Sequence, residues 1–403
     1  MSKAIERLQI QDFLGIKHAD IVVKQFNVII GPQASGKSVI AKLVAYFNQL
    51  GQIFLRSLNN NDRKARFDSN LLKQFELSFP RYTWEHNPFT IRFAIDGISF
   101  TVANQLDENN HGVLSIEYSE SLFLDYEKTL NQIEQNLANG NTPVLSNNEM
   151  APILKNYPTL FAEHLFIPAS RSFFATLQNN IFGFLSADIN IDPLLKQFGR
   201  SYELIKRQTH QPTTDIAQLV KTIIKGEYKF QDQQDWIINQ QQKVNLAHAS
   251  SGQQEALPML LMLSKWQNKE DNEKKTIFIE EPEAHLFPVA QNQVISLLSL
   301  VKKLTNTRIF ITSHSPYMLS AINNLIMAHH TISKGGITSQ QFEQINGPCA
   351  PIALDDISAY SITDGTAQDI KDEEYHMIGA DMLDSVSDHF ENVINTLLEA
   401  DME

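Results

Sequence analysis

Gly31-Pro32-Gln33-Ala34-Ser35-Gly36-Lys37-Ser38 follows the apolar run Phe26-Asn27-Val28-Ile29-Ile30 and precedes Ser38 to Leu50, where apolar residues recur three and four apart. The run reads as a buried strand and the later stretch as a helix, so the eight residues form a glycine-bearing loop between them. Their spacing fits the pattern G-x-x-x-x-G-K-[ST]. Gly31 and Gly36 let main-chain N–H groups of the loop, those of Gln33, Ala34 and Ser35 among them, turn inward around phosphates at the positive end of the helix. Lys37 can reach β- and γ-phosphates, and the Ser38 hydroxyl can ligate Mg²⁺. The plainer alternative is a glycine turn with a surface lysine; a strand before and a helix after weigh against it.

Working outward, residues 4–30 alternate apolar and polar positions with a turn near Gly15. Residues 75–118, rich in Phe, Ile, Val and Thr with turns at Asp96-Gly97 and Glu108-Asn109-Asn110, predict an antiparallel sheet. A helix is expected over 121–139, stopped by Asn139-Gly140-Asn141, and a short strand at His164-Leu165-Phe166-Ile167-Pro168. Residues 172–245 are polar, Gln- and Asn-rich and read as mostly helical. Helix 252–267, strand 276–280, helix 289–304 and strand 308–312 follow, an alternation that predicts a parallel α/β sheet. The expected divisions are 1–119, 120–248 with the helical insertion, 249–330, and an acidic segment at 331–403.

Three further stretches carry chemistry. Thr276-Ile277-Phe278-Ile279-Glu280-Glu281-Pro282 is an apolar strand ending in two carboxylates. Adjacent residues of an extended chain point to opposite sides, so the two acids take different roles. Glu280 is assigned to Mg²⁺ and Glu281 to the attacking water; alone, such a pair is as readily a solvated loop. Ala249-Ser250-Ser251-Gly252-Gln253-Gln254 precedes an apolar helix. The small residues Ser250, Ser251 and Gly252, with Gln253, offer unhindered N–H groups to a γ-phosphate, or serve as a plain N-cap. Phe310-Ile311-Thr312-Ser313-His314-Ser315-Pro316 puts His314 just past a strand end, where it is either structural or a hydrogen-bonding sensor of the γ-phosphate.

The order of these motifs resembles that in the ABC-type ATPase heads of RecF, SMC and OLD-family proteins. It is most similar to the bacterial branch with Glu-Glu-Pro-Glu-Ala-His-Leu, here Glu280 to Leu286. Ile167-Pro168-Ala169-Ser170-Arg171 and Ser313-His314-Ser315-Pro316 also look like that branch. The resemblance covers the ATPase core and leaves residues 60–160 and 172–245 unmatched. It implies an α/β head with a mixed and parallel sheet, an antiparallel β lobe and a helical insertion, with ATP and Mg²⁺ as cofactors. Each ATP would lie between the phosphate loop of one subunit and the Ser250–Gln253 segment of another, so at least a dimer is implied. Glu283 to Leu286 would communicate between the two sites. Arg171 would lie near the nucleotide, a surface salt bridge being the alternative. Gln33-Ala34 stands where relatives usually carry Asn-Gly, and Glu280 replaces the aspartate of transporter-type members. For the glutamine loop of ABC proteins only Gln49 and Gln52 offer themselves.

Composition narrows the classes. The chain has 403 residues, 42% hydrophobic and 20% charged, an ordinary globular balance. A single cysteine, Cys349, excludes an internal disulfide framework and fits a reducing compartment. No stretch approaches the ~20 apolar residues of a membrane span, and the N-terminus lacks a signal-peptide core; a cytoplasmic location is expected. The net charge of −13 is uneven: from Gly335 onward 15 acidic residues face only Lys371, and the remainder is near neutral. That total carries no basic stripe of the kind nucleic-acid binders show.

A long coiled-coil arm is excluded by the sheet and helix signals between Ser38 and Ala249, and 89 residues after His314 are too few for a Toprim nuclease beside the closing strands. Asp381 and Asp384 suggest a metal pair, but they sit on a helical pattern whose apolar stripe is Leu383, Val386, Phe390, Val393 and Leu397. It packs on the parent core or contacts another subunit or partner. Stand-alone ATPases that look like this branch often form half of bacterial anti-phage systems such as PARIS and Septu. The resemblance therefore implies an ATP-driven sensor or scaffold for a separate effector such as a nuclease. One alternative is a RecF-like enzyme clamping DNA through Arg63, Lys64, Arg66, Lys221 and Lys225. The other is an ATP-binding scaffold that hardly turns over.

Overall fold

The strand leading into the phosphate loop, β3 (Phe26–Ile30), is buried along its whole length, as expected of a strand covered on both faces. It lies mid-sheet in a computed structural model that describes residues 5–138, 147–177, 191–207, 212–240, 242–266 and 275–379. β12 (Arg308–Ser313) pairs with it in parallel on one side and β13 (Ile357–Thr363) on the other. β11 (Lys275–Glu280) follows beyond β12, and β7 (Glu163–Ile167) beyond β11, all in parallel. Alternation splits these strands between two cores: Val28, Ile277, Ile279, Ile309 and Ile311 pack on one face, Ile29, Phe278 and Phe310 on the other.

The same sheet continues into an antiparallel half, so that among the described residues it has eleven strands in the order β6-β5-β4-β1-β2-β14-β13-β3-β12-β11-β7. β1 (Glu6–Phe13) and β2 (Ile16–Val23) form the hairpin at Gly15. β4 (Phe89–Ile95), β5 (Ile98–Leu106) and β6 (Gly112–Tyr118) form a meander with the expected turns. β14 (Thr366–Asp369) joins the halves. An aromatic core fills this lobe: the Phe13 ring lies 4.6 Å from Phe89 and 5.3 Å from Phe79, and Phe47 stacks on Phe93 at 4.7 Å.

Among the helices, α1 (Lys37–Asn59) runs past the expected end at Leu50. Gly51 does not stop it; a Cβ there would stand 2.2 Å from the Leu160 carbonyl oxygen, so the glycine answers a close approach. α2 (Lys64–Ser78) takes the first residues of the stretch expected to be sheet. α3 (Glu120–Ala138), α4 (Asn147–Asn156), α5 (Ser172–Leu177), α6 (Pro193–Lys206) and α7 (Thr214–Ile224) follow. The segment read as mostly helical also holds a three-stranded sheet of its own, β8 (Glu227–Gln231), β9 (Gln234–Ile238) and β10 (Lys243–Asn245). α8 (Ser251–Lys265), α9 (Pro288–Thr305), α10 (Pro316–Ser333) and α11 (Ser339–Asn346) complete the described helices. None is long and apolar enough to cross a membrane. The expected helix around Leu383 to Leu397, with Asp381 and Asp384, lies outside the described residues.

Candidate functional site

Parallel register gathers the motifs. Ile30 pairs with Ser313 and Ser361, and Glu280 with Thr312. Ile279 pairs with Ile167 at the end of β7. The loops after β3, β11, β12 and β7 therefore leave the same edge, the carboxyl ends where open α/β sheets take ligands. Four non-glycine residues on three of these loops have left-handed backbone: Ala34 (φ 60°), Ser170 (60°), Glu281 (44°) and His285 (59°). Such conformations cost of order 1–3 kcal/mol each and concentrate at functional sites.

In the phosphate loop, Gly36 (φ 99°) caps α1, and a Cβ would come within 2.9 Å of Ile16. With Ala34 also left-handed, the loop turns twice within three residues, the kind of backbone that forms anion-binding concavities. Lys37 is buried and donates to the carbonyls of Gly31 at 2.8 Å and Pro32 at 2.5 Å. Burial lowers its pKa, while Glu281 and Glu283 oppose the shift. The Ser35 hydroxyl is buried without a hydrogen-bond partner.

Beside the loop, Glu280 Oε2 accepts the Ala169 N–H at 3.2 Å, whereas Oε1 is buried with no partner. Burial raises the Glu280 pKa, and Lys42, Ser38 and the Ala169 N–H pull it back. The Thr312 hydroxyl next to it in register is likewise buried and unpartnered. An orphaned carboxylate oxygen facing the exposed Ser38 is a hard oxygen donor set and fits Mg²⁺. Glu281 is half-exposed, its N–H held by the Thr312 carbonyl at 3.0 Å. His314 Nδ1 lies 3.8 Å from its carboxylate. Glu283 is buried and accepts from the Ser313 hydroxyl at 2.6 Å and the His314 N–H at 2.9 Å, tying the loop after β11 to that after β12.

The Ser250–Gln253 segment begins α8 with a capping box: Ser250 Oγ accepts from the Gln253 N–H at 3.4 Å, and Gln253 Oε1 from the Ser250 N–H at 3.2 Å. Ser251 is exposed. Gly252 packs on the loop after β11, where a Cβ would stand 2.7 Å from the His285 carbonyl oxygen.

Arg171, expected near the nucleotide with a surface salt bridge as the alternative, is 0% exposed and lies against the main chain of the acid pair, which removes the surface salt bridge. Its Nη1 donates to the carbonyls of Pro168 (2.9 Å) and Glu280 (2.7 Å), Nη2 to that of Glu281 (2.9 Å), and Nε to that of Glu255 (3.0 Å). Four of its five N–H donors are spent on main-chain carbonyls. Gln49 accepts from Gln74 on α2, and Gln49 and Gln52 line an outer cleft about 18 and 22 Å along α1 from Lys37 by helical rise. Two residues escaped the sequence reading. Thr312 lay inside a quoted motif without a role, and Glu255 signals itself only as a charge in an apolar helix.

Residues 164–319 match the family model described as the AAA ATPase domain. That stretch holds Arg171, Glu255, the acid pair and His314, and begins well after the phosphate loop. Comparison with curated proteins returns no match. Similar solved structures include the SMC head domain from Thermotoga maritima, 12% identical over 91% of this chain and 98% of that one, with a TM-score of 0.37. An ATP-binding cassette of an ABC transporter in its ADP conformation is 13% identical over 93% of each chain, at 0.34. The recombination mediator protein RecF is 12% identical over 91% and 98%, also at 0.34. With this match lying on a phosphate-loop α/β sheet, the chain is an enzyme that hydrolyses ATP.

Proposed function

We propose that the chain works as a nucleotide-gated dimer, with ATP between the phosphate loop of one copy and the Ser250–Gln253 segment of another. In this reading the N–H groups from Gly31 to Gly36, with Lys37, hold the phosphates, and Ser38 and Glu280 hold Mg²⁺. Glu281 orients the attacking water, and His314 registers the γ-phosphate. The observation that supports it most is an apolar rim at the site edge. Phe287 is 77% exposed and Val289 64% exposed where α9 begins, and Tyr317 is 55% exposed where α10 begins. Single exposed apolar residues are ordinary, but these stand on two helices that start from the site loops, where a second copy would cover them.

Closure on ATP is then the two-state element, and hydrolysis resets it. The output is a separate effector protein held in one state and released in the other, with bacterial anti-phage defence as the setting that the motif resemblance suggests. A DNA clamp has less support: Arg63 pairs with Glu134, Lys64 with Asp68, Arg66 with Asp62 and Lys221 with Glu227. Cations paired with carboxylates present little net field to a phosphate backbone. Mass measurement in solution of a Glu281→Gln variant, with and without Mg-ATP, tests the reading. A shift from monomer to dimer on adding Mg-ATP is expected; a mass indifferent to nucleotide would remove the gating.

A further inference from the structure

A buried guanidinium with four of its five N–H donors on main-chain carbonyls is costly to place, so where its forks point is informative. The Arg171 fork spans three structures at once. It reaches the end of β7 through the Pro168 carbonyl, both acids at the end of β11 through the carbonyls of Glu280 and Glu281, and α8 through Glu255. Glu255 returns the contact: its Oε2 accepts the Arg171 main-chain N–H at 2.9 Å and lies 3.5 Å from Nε, while Oε1 accepts the Ser172 hydroxyl at 2.7 Å. Glu255 lies one turn into α8, three residues beyond Gly252, whose Cα already rests against the His285 carbonyl.

We infer that Arg171 and Glu255 form a positioning couple that sets the orientation of Glu281 and makes it depend on where α8 sits. The carbonyl of Glu280 belongs to the peptide that joins the two acids, and the carbonyl of Glu281 to the next one. Holding both with one planar fork defines the turn in which Glu281 takes its left-handed backbone (φ 44°) and so defines where its carboxylate points. When the tip of α8 engages a ligand or another copy, displacement of Glu255 drags the fork and re-aims Glu281. Lysine in place of Arg171 keeps the charge but cannot span the same carbonyls. Arg171 acts through Glu281 and does not touch the nucleotide.

The couple rests on the reading that Glu281 aims the attacking water, and the test separates the two. Steady-state ATP turnover and the Kd for a fluorescent ATP analogue are measured for the full chain and for Glu281→Gln, Arg171→Lys, Glu255→Gln and the Arg171→Lys/Glu255→Gln pair. The expected result is a loss of turnover of about tenfold or more in Arg171→Lys, as for a slightly misplaced catalytic group, with Kd changed less than about threefold. Glu255→Gln should lose turnover in the same direction, and the pair should lose no more than Arg171→Lys alone, because the two act as one unit. Glu255→Gln, nearly the same shape as the native residue, carries the test if Arg171→Lys does not fold. Turnover lost in Glu281→Gln but normal in Glu255→Gln would overturn the couple alone, as would a parallel loss of nucleotide binding or additive losses in the pair. Normal turnover in Glu281→Gln would bring down the reading beneath it.

Discussion

Lys206 and Arg171 are both buried cations, and their partners differ in kind. Lys206 on α6 lies between carboxylates, 2.5 Å from Glu203 and 3.2 Å from Asp235. The Tyr202 and Tyr228 hydroxyls donate to Asp235 at 3.2 and 2.7 Å, and the ammonium sits over the rings of Tyr202 and Phe230. Arg171 meets one carboxylate and otherwise main-chain carbonyls, two of them from the acids that end β11. Burial is alike; consequence is not. The Lys206 cluster clamps α6 to the small β8–β9–β10 sheet, and its members face no ligand edge. Around Arg171 the partners include backbone atoms of Glu280 and Glu281, the residues proposed above to hold Mg²⁺ and aim the water. A buried charge answered by side chains fastens a fold, whereas one answered by the backbone of a site aligns it.

The largest effect expected from breaking this contrast is on stability, at Lys206. Lys206→Met leaves Glu203 and Asp235 buried without their cation, which should cost about 3–5 kcal/mol in chemical denaturation. ATP turnover per folded molecule should stay near wild type; a matching loss of turnover would mean that the cluster aligns the site as well. On the alignment side, Gly252→Ala sets a methyl 2.7 Å from the His285 carbonyl and must shift the start of α8. Turnover should fall about tenfold, roughly 1.4 kcal/mol, with little change in unfolding midpoint because alanine is the better helix former by about 1 kcal/mol. A variant that unfolds early but turns over normally would reverse the assignment. The smallest effect is expected from Tyr228→Phe, which deletes one hydroxyl bond to Asp235 and should cost about 1 kcal/mol with no kinetic signature.

What the sequence disclosed was local or periodic. The strand at 26–30, the loop after it, the meander turns and the acid pair at the end of β11 are set by neighbours within a few residues, and they stand where the spacing puts them. What it hid depends on distant partners. Ile357–Thr363 is a buried strand beside β3; the Asp364-Gly365 turn marks its hairpin with β14, but its pairing with β3 spans more than 300 residues and nothing local announces it. Gly51 reads as a helix stop unless the Leu160 carbonyl above it is known. β8 and β9 alternate in burial, but in β9 a buried place goes to Asp235 and half-buried ones to Trp236 and Ile238, which blunts the contrast between their faces. Arg171 illustrates the limit most directly: a motif can name an arginine at the site without saying on which side of the acids it stands.

β13 has a bearing on how the chain acquires its activity during synthesis. It fills the place between β3 and β14, and the carbonyl of Ile362 lies against Gly31, where a Cβ would come within 2.7 Å. Until residue 363 has left the ribosome, one edge of β3 has no neighbour, and the loop that follows it lacks its backing. The antiparallel lobe, closed by contacts within the first 118 residues, can collapse early; pairing across so long a separation is slow by comparison. A nascent chain therefore passes through a stage with a folded front, an open and sticky strand edge, and no grip on nucleotide, so competence for ATP arrives late and serves as the signature of a finished sheet.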